Sequence, residues 1–73
     1  MELDDIKEHD MVELRVDMFL PIEPIMLLAG SRGAVVMIYE QPDTNDNIYD
    51  VEFPVGNSHN HIVAIGKRNL IKL

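Results

Sequence analysis

Two stretches of the chain alternate between apolar and polar side chains, which is the pattern of a half-buried strand. In MVELRVDM, residues 11–18, the apolar positions are Val12, Leu14, Val16 and Met18, and in NIYDVEF, residues 47–53, they are Tyr49, Val51 and Phe53. Successive side chains of a strand point to opposite faces, so each stretch can bury one row and expose the other. Both stretches predict strands, and the second is expected to stop at Pro54, which cannot donate to a ladder.

Three further segments complete an all-β prediction. GAVVMIYE, residues 33–40, is apolar on both faces from Ala34 to Tyr39, which favours a central strand bent between two layers. HIVAIG, residues 61–66, predicts a fourth strand. KRNLIKL, residues 67–73, predicts a short turn and a closing strand that returns Leu70, Ile71 and Leu73 to the core. About five short strands in so short a chain predict a small β-barrel.

The segments between these strands are rich in turn-forming residues. Gly30 and Gly33 flank a tight turn, where we expect positive φ, and QPDTNDN and PVGNSHN predict two more turns. The first ten residues predict a loop or a single helical turn. With 73 residues, the chain predicts one domain, residues 1–73, near the lower size limit for a fold held by an apolar core alone.

Charge and cysteine content restrict the setting and the partners. The chain has no cysteine, which favours a reducing cytoplasm over a secreted setting. It begins with the acidic MELDDIKEHD and has no apolar run near the roughly 20 residues of a membrane span, so we expect neither a secretory signal nor a membrane partner. A net charge of −7 opposes binding to nucleic acids and favours protein partners with basic or apolar surfaces.

The motifs that could carry chemistry are incomplete. Asp43, Asn45 and Asn47 match the start of a calcium loop, but Ile48 stands where that loop needs glycine and Pro54 where it needs a carboxylate. His59 and His61 could both face one side of a strand, yet a zinc site needs at least one more ligand. The GSRG turn lacks the lysine of a phosphate loop. We therefore expect a protein that is not an enzyme and that has no metal or cofactor.

One segment is more apolar than loops usually are. MFLPIEPIMLLAG, residues 18–30, contains two prolines that disfavour a central strand or a continuous helix, although Pro24 could begin one short turn through Leu28. Its side chains could complete the core of a short chain, or they could form an interface for a partner or a second copy. Both interpretations stay open. The candidate partner-binding residues are Phe19, Ile22, Ile25, Met26 and Leu27, together with Tyr39 and Tyr49 on the neighbouring barrel face.

The order of these features resembles the small bacterial proteins classed as domain of unknown function 4926. The resemblance runs through HDMVELRVD, a loop, GSRGAVVMIYE, YDVEF and HIVAI…NLIKL, and so covers nearly the whole chain. The matching positions are Asp10, Val12, Leu14, Leu20, Pro21, Gly30, Gly33, Val35, Val36, Tyr49, Val51, Glu52, Phe53, Leu70 and Leu73. The segment PIEPIMLLAG departs from that pattern, because it is longer and more apolar than the usual charged loop.

The resemblance implies a small SH3-like barrel with a long first loop, and it implies no known activity. It also implies a place in a small two-gene unit, as an antitoxin-like or accessory partner. Together with the residue patterns, it predicts a small protein-binding or self-associating module. The alternative is an accessory subunit of an electron-transfer or photosynthetic complex, because the closing turn at Asn69 and Leu70 is similar to the Asn-x-Leu turn of a small accessory protein of photosystem I.

Overall fold

The structure is a computed structural model that describes residues 6–21, 25–40, 47–55 and 59–73. The described residues form seven strands and one short 3-10 helix, Lys67–Asn69, which lies between the last two strands. The strands are β1 (Met11–Leu14), β2 (Met18–Leu20), β3 (Ile25–Leu27), β4 (Arg32–Tyr39), β5 (Ile48–Val55), β6 (His59–Gly66) and β7 (Leu70–Lys72).

Five of these strands make one antiparallel sheet in the order β6-β5-β4-β1-β7. Strands β4, β5 and β6 form a meander, and β1 lies between β4 and β7. The expected central position of β4 is confirmed. The outer strands β6 and β7 do not pair with each other, so the sheet is not closed into a barrel.

The core lies against one face of this sheet. Its buried apolar side chains are Ile6, Val12, Leu14, Leu27, Val35, Tyr49, Val51, Phe53, Ile65 and Leu70. The rows expected inward from β5 and from the first half of residues 11–18 are therefore confirmed. No buried side-chain polar atom of the described residues lacks a hydrogen-bond partner, which agrees with the cost of burying an unsatisfied polar group.

The expected single strand over residues 11–18 is wrong beyond Leu14. The chain bends at residues 15 and 16, Val16 is exposed, and Met18 belongs to a separate strand. Residues 18–27 contain strands β2 and β3, which pair as a separate two-stranded sheet where the sequence predicted a loop. Both strands are only three residues long, and in the sequence Pro21 follows the first and Pro24 precedes the second, so neither proline lies within a strand.

Two expectations about burial and strand ends are also wrong. Ile71 and Leu73 are exposed, because Leu70 faces the core and its immediate neighbour must then face away. Strand β5 continues past Pro54, which lies opposite Asn60 in β6. The last pair between β4 and β5 joins Ala34 to Glu52, so no β4 residue is paired with Pro54 and its missing N–H leaves no gap in that ladder.

The two glycines of the first turn act in different ways. Gly30 has φ of 95°, as expected for a turn residue without a side chain. Gly33 does not have positive φ. It is instead packed so closely that a Cβ atom there would lie 2.6 Å from the backbone oxygen of Glu52 and 2.8 Å from Cγ1 of Val51. Close approach of β4 to β5 therefore explains Gly33.

Strand β4 contains a β-bulge. Val35 pairs with Val51 and Met37 with Asp50, so Val36 is an extra residue without a partner of its own in β5. The inward positions are Val35 before the bulge and Ile38 after it, three residues apart. The expectation that β4 is buried on both faces is wrong, because Met37 and Tyr39 are exposed.

No helix among the described residues has the length and apolar composition that crossing a membrane requires.

Candidate protein-binding surface

The hairpin of β2 and β3 has one face on the core and one face in solvent. Leu27 is buried, and Met18, Leu20 and Ile25 are partly buried against the core. On the opposite face, Phe19 and Met26 are direct cross-strand partners. Their side chains are 56% and 52% exposed. Two large apolar side chains therefore stand side by side on the outside of a short hairpin; we call Phe19 and Met26 the hairpin pair.

The base of the hairpin is held by three hydrogen bonds. The backbone N–H of Ala29 donates to Oδ1 of Asp17 over 2.7 Å, which joins the residue before β2 to the segment after β3. The N–H of Gly30 donates to the carbonyl of Leu14 over 2.7 Å, and the N–H of Ser31 donates to the carbonyl of Leu28 over 3.0 Å. The Gly30–Leu14 bond joins the segment after β3 to β1 of the five-stranded sheet, and the Asp17–Ala29 bond joins the two flanks of the hairpin to each other.

Two further exposed apolar residues lie in the segments that flank the hairpin. Leu28 follows β3 and is 60% exposed, and Val16 lies in the bend before β2 and is also exposed. Scattered exposed apolar residues are common in proteins. Of the ten large exposed apolar residues among those that the structure describes, four lie in the segment 16–28 and the other six lie in the five-stranded sheet or at its end.

The structure separates the sequence-predicted site residues into groups. Phe19 and Met26 are exposed together, Ile25 is partly buried beside them, and Leu27 belongs to the core. Ile22 lies outside the described residues. The sequence prediction treated residues 19–28 as one surface. In the structure, the described residues of this segment divide between two opposite faces of a hairpin.

Tyr39 and Tyr49 do not form one surface, because they point to opposite faces of the sheet. Tyr49 pairs with Ile38 and is 1% exposed, whereas Tyr39 pairs with Ile48 and is exposed. The hydroxyl of Tyr39 donates to Oδ2 of Asp50 over 3.0 Å. This hydrogen bond, followed by the negative charge of Asp50, raises the pKa of the Tyr39 phenol above 10.0.

Sequence reasoning missed a second exposed apolar region, on the face of the five-stranded sheet that points away from the core. The exposed apolar residues there are Met11, Met37, Tyr39, Ile62, Ile71 and Leu73. The signal was available in part, because the burial of Leu70 and the alternation of a strand require Ile71 to face outward. Charged groups lie among them: Arg32 Nε and Glu13 Oε1 are 3.2 Å apart, and Asn60 donates to Glu52.

The metal hypothesis gains no support from this geometry. Within the part of the chain that the structure describes, no three His, Cys, Asp or Glu residues are grouped so that they could hold a metal ion. The calcium-loop residues 43 and 45 lie outside that part, as does most of the turn at residues 41–47.

No protein-family model, curated protein or solved structure matches the chain.

Proposed function

We propose that the protein is a small, non-enzymatic binding module whose hairpin pair docks another protein. The observation that carries the proposal is the position of Phe19 and Met26, directly opposite each other and more than half exposed. The inner face of the same hairpin is packed on the core, and these two side chains are not part of the core that the described residues form. A fixed hairpin with an aromatic residue and a methionine on its outer face has the composition of an adaptable contact surface.

The charge of the chain supports a partner with a basic rim around an apolar patch. The net charge is −7, and Asp17 lies at the base of the hairpin. Basic side chains of a partner would be drawn to this surface before its apolar residues meet the hairpin pair. We infer a cytoplasmic setting from the absence of cysteine, as the sequence predicts.

We also propose that the fold is an incompletely closed SH3-like barrel, related to the domain of unknown function 4926. Three features support this. The β2–β3 hairpin is inserted in the sequence between β1 and β4, strands β4, β5 and β6 form a meander, and a 3-10 helix precedes a last strand that pairs with β1. Under this proposal, the hairpin of β2 and β3 is the long first loop of the barrel, the loop that borders the binding face in such domains.

The experiment is affinity purification of the tagged protein from its native cell, with Phe19→Glu and Met26→Glu as variants. Complete burial of a Phe or Met side chain contributes about 1.5–3 kcal/mol, and about 1.4 kcal/mol corresponds to a tenfold change in affinity. Each variant should therefore weaken the complex by at least about tenfold, because a carboxylate would be buried in place of apolar surface.

Leu73→Glu is the matched control, because Leu73 is as exposed as Met26, at 52%, but lies at the end of the sheet. It should retain the partner. Circular dichroism must show that all three variants remain folded. A partner that folded Phe19→Glu and Met26→Glu proteins retain at full affinity would contradict the proposal, and recovery of a large redox assembly would favour the electron-transfer alternative.

A further inference from the structure

Strand β6 forms one edge of the sheet and lacks the devices that usually protect an edge. It is eight residues long, its pairing with β5 is continuous without a bulge, and its sequence HNHIVAIG has no Lys, Pro, Asp or Glu. Natural proteins shorten, twist or charge such strands, because an unprotected edge pairs with other chains. The edge strand β7, in contrast, has three residues and contains Lys72.

The hydrogen-bond pattern shows which backbone groups of β6 face the open edge. The N–H of Lys67 donates to the carbonyl of Asn47 over 3.2 Å, so this pair is a hydrogen-bonded one. In an antiparallel ladder, hydrogen-bonded and non-hydrogen-bonded pairs alternate. With the continuous register of β5 and β6, Val63 and Ile65 bond to β5. The residues that direct their N–H and C=O groups to the open edge are Asn60, Ile62, Ala64 and Gly66.

The side chains along this edge are accessible as well. Asn60, Ile62 and Ala64 are exposed, and Ile62 is 60% exposed. Their shared face is the outward face of the sheet, where Ile62 lies opposite Glu52 and Ala64 opposite Asp50. A strand added at this edge would therefore meet backbone groups that pair with no other strand in the described part of the chain, and a large side chain next to a small one.

We propose that a second copy of this chain pairs with β6, strand to strand and antiparallel, around a twofold axis at Val63. In this register, Ile62 of each copy lies opposite Ala64 of the other, and Asn60 lies opposite Gly66. Each pair sets a large side chain against a small one or against none. The backbone N–H and C=O groups of Ile62 in one copy then bond to those of Ala64 in the other. This ladder joins the two five-stranded sheets into a single sheet of ten strands.

Self-complementarity and charge favour a second copy as the occupant. The backbone donors and acceptors along an antiparallel edge have the spacing required by the same edge of a second copy. This match is the condition for an isologous twofold contact. Two chains of net charge −7 repel each other, but β6 has no Asp or Glu. The nearest acids, Asp50 and Glu52, would be three strand spacings from those of the other copy, about 14 Å, which exceeds the Debye length of about 8 Å at physiological ionic strength.

The test is light scattering over a range of concentrations on the full chain and on two edge variants. Ala64→Pro removes an N–H that faces the open edge and leaves the bonds to β5 in place, and Ile62→Lys adds a charge to the edge. The wild-type protein should reach twice its 8.3 kDa mass with increasing concentration. Both variants should shift the dissociation constant upward by at least about tenfold, and Leu73→Lys, a matched exposed position, should not.

Amide hydrogen exchange identifies the edge directly. The amides of Ile62 and Ala64 should exchange slowly in the dimer and quickly at low concentration, whereas those of Val63 and Ile65 should stay protected at both. A mass of 8.3 kDa at every concentration, or a dimer that Ala64→Pro and Ile62→Lys leave intact, would overturn the proposal. Phe19→Glu should leave this dimer unchanged. Failure of the β6 dimer proposal is therefore distinguishable from failure of the proposal that the hairpin pair docks a partner.

Discussion

The carboxylate of Asp17 accepts a hydrogen bond from the backbone N–H of Ala29, twelve residues further along the chain, over 2.7 Å. This bond closes the base of the hairpin that carries Phe19 and Met26. It connects the two segments that leave and rejoin the five-stranded sheet. The orientation of the proposed docking surface therefore depends on a side chain that is not part of that surface.

Removal of the Asp17 acceptor should loosen the hairpin. We expect Asp17→Ala to lower the free energy of unfolding by about 1 kcal/mol, the typical contribution of one hydrogen bond. Asp17→Asn keeps an oxygen that can accept from Ala29 and should lose less. Urea denaturation of the two variants is the measurement. Equal losses for both would show that the negative charge matters and the acceptor geometry does not.

The close packing at Gly33 should make that position intolerant of any side chain. A Cβ atom there would meet the backbone oxygen of Glu52 and side-chain atoms of the buried Val51 and Phe53, so Gly33→Ala should cost about 1–3 kcal/mol through overpacking. Gly66→Ala is the matched control, because nothing lies within 4 Å of its Cβ position and its φ of −71° suits alanine. Thermal unfolding should separate the two variants, and a Gly33→Ala protein as stable as Gly66→Ala would contradict the close approach of β4 to β5.

The contact between Tyr39 and Asp50 should be visible in an alkaline titration. Because Asp50 raises the pKa of the Tyr39 phenol above 10.0, the ring signals of Tyr39 in NMR spectra should titrate later than those of a free tyrosine. The contact stabilises the fold below pH 10, and this contribution is lost as the pH rises through the folded-state pKa. In Asp50→Asn the Tyr39 midpoint should return toward 10; an unchanged midpoint would exclude Asp50 as the cause.

Asp10 should give the fold part of its resistance to acid. Its Oδ2 accepts the backbone N–H of Lys7 over 2.9 Å and lies 3.6 Å from Nζ of Lys72. The backbone hydrogen bond from Lys7, with help from the positive charge of Lys72, holds the pKa of the Asp10 carboxyl below 3.8, although desolvation opposes them. The contribution is complete above pH 3.8 and is lost as the pH falls through the folded-state pKa.

Acid unfolding of Asp10→Asn is the corresponding measurement. The variant should be less stable than the wild type at neutral pH, and the difference should shrink on acidification. Glu8→Gln removes the same charge from an exposed neighbour and serves as the control. A difference between wild type and Asp10→Asn that stays constant down to about pH 2, well below the ordinary carboxyl pKa, would show that Asp10 does not act through its ionised form.

The strands could be predicted from sequence where alternation and β-branched residues coincide. The inward positions Val12, Leu14, Tyr49, Val51 and Phe53 follow from the two-residue period alone, and they are buried. The hairpin of residues 18–27 was hidden, because its strands are three residues long and adjoin prolines. Tertiary packing on the core, which no local pattern reports, keeps such short strands paired.

The candidate surface was predictable only in part for the same reason. The sequence indicates that residues 18–30 are too apolar for an ordinary loop, but it does not show which of them face the core. Cross-strand pairing assigns Phe19 and Met26 to one side and Leu27 to the other. The exposed edge of β6 was not predictable, because β6 has none of the charges or prolines that mark many edge strands, and only its position in the sheet shows that it is one.

The bulge at Val36 has a consequence for how the chain reaches its native pairing. A slip of β4 against β5 by one residue would exchange the environments of Ile38 and Tyr39 and would leave the Tyr49 ring opposite the wrong neighbour. The extra residue allows the native alignment on both sides of the bend at once, whereas a slipped alignment would satisfy one side and break the other. We therefore expect misaligned hairpins of β4 and β5 to be short-lived during folding, and deletion of Val36, which would make the Val35–Val51 and Met37–Asp50 pairs consecutive, to give a regular ladder without a bulge.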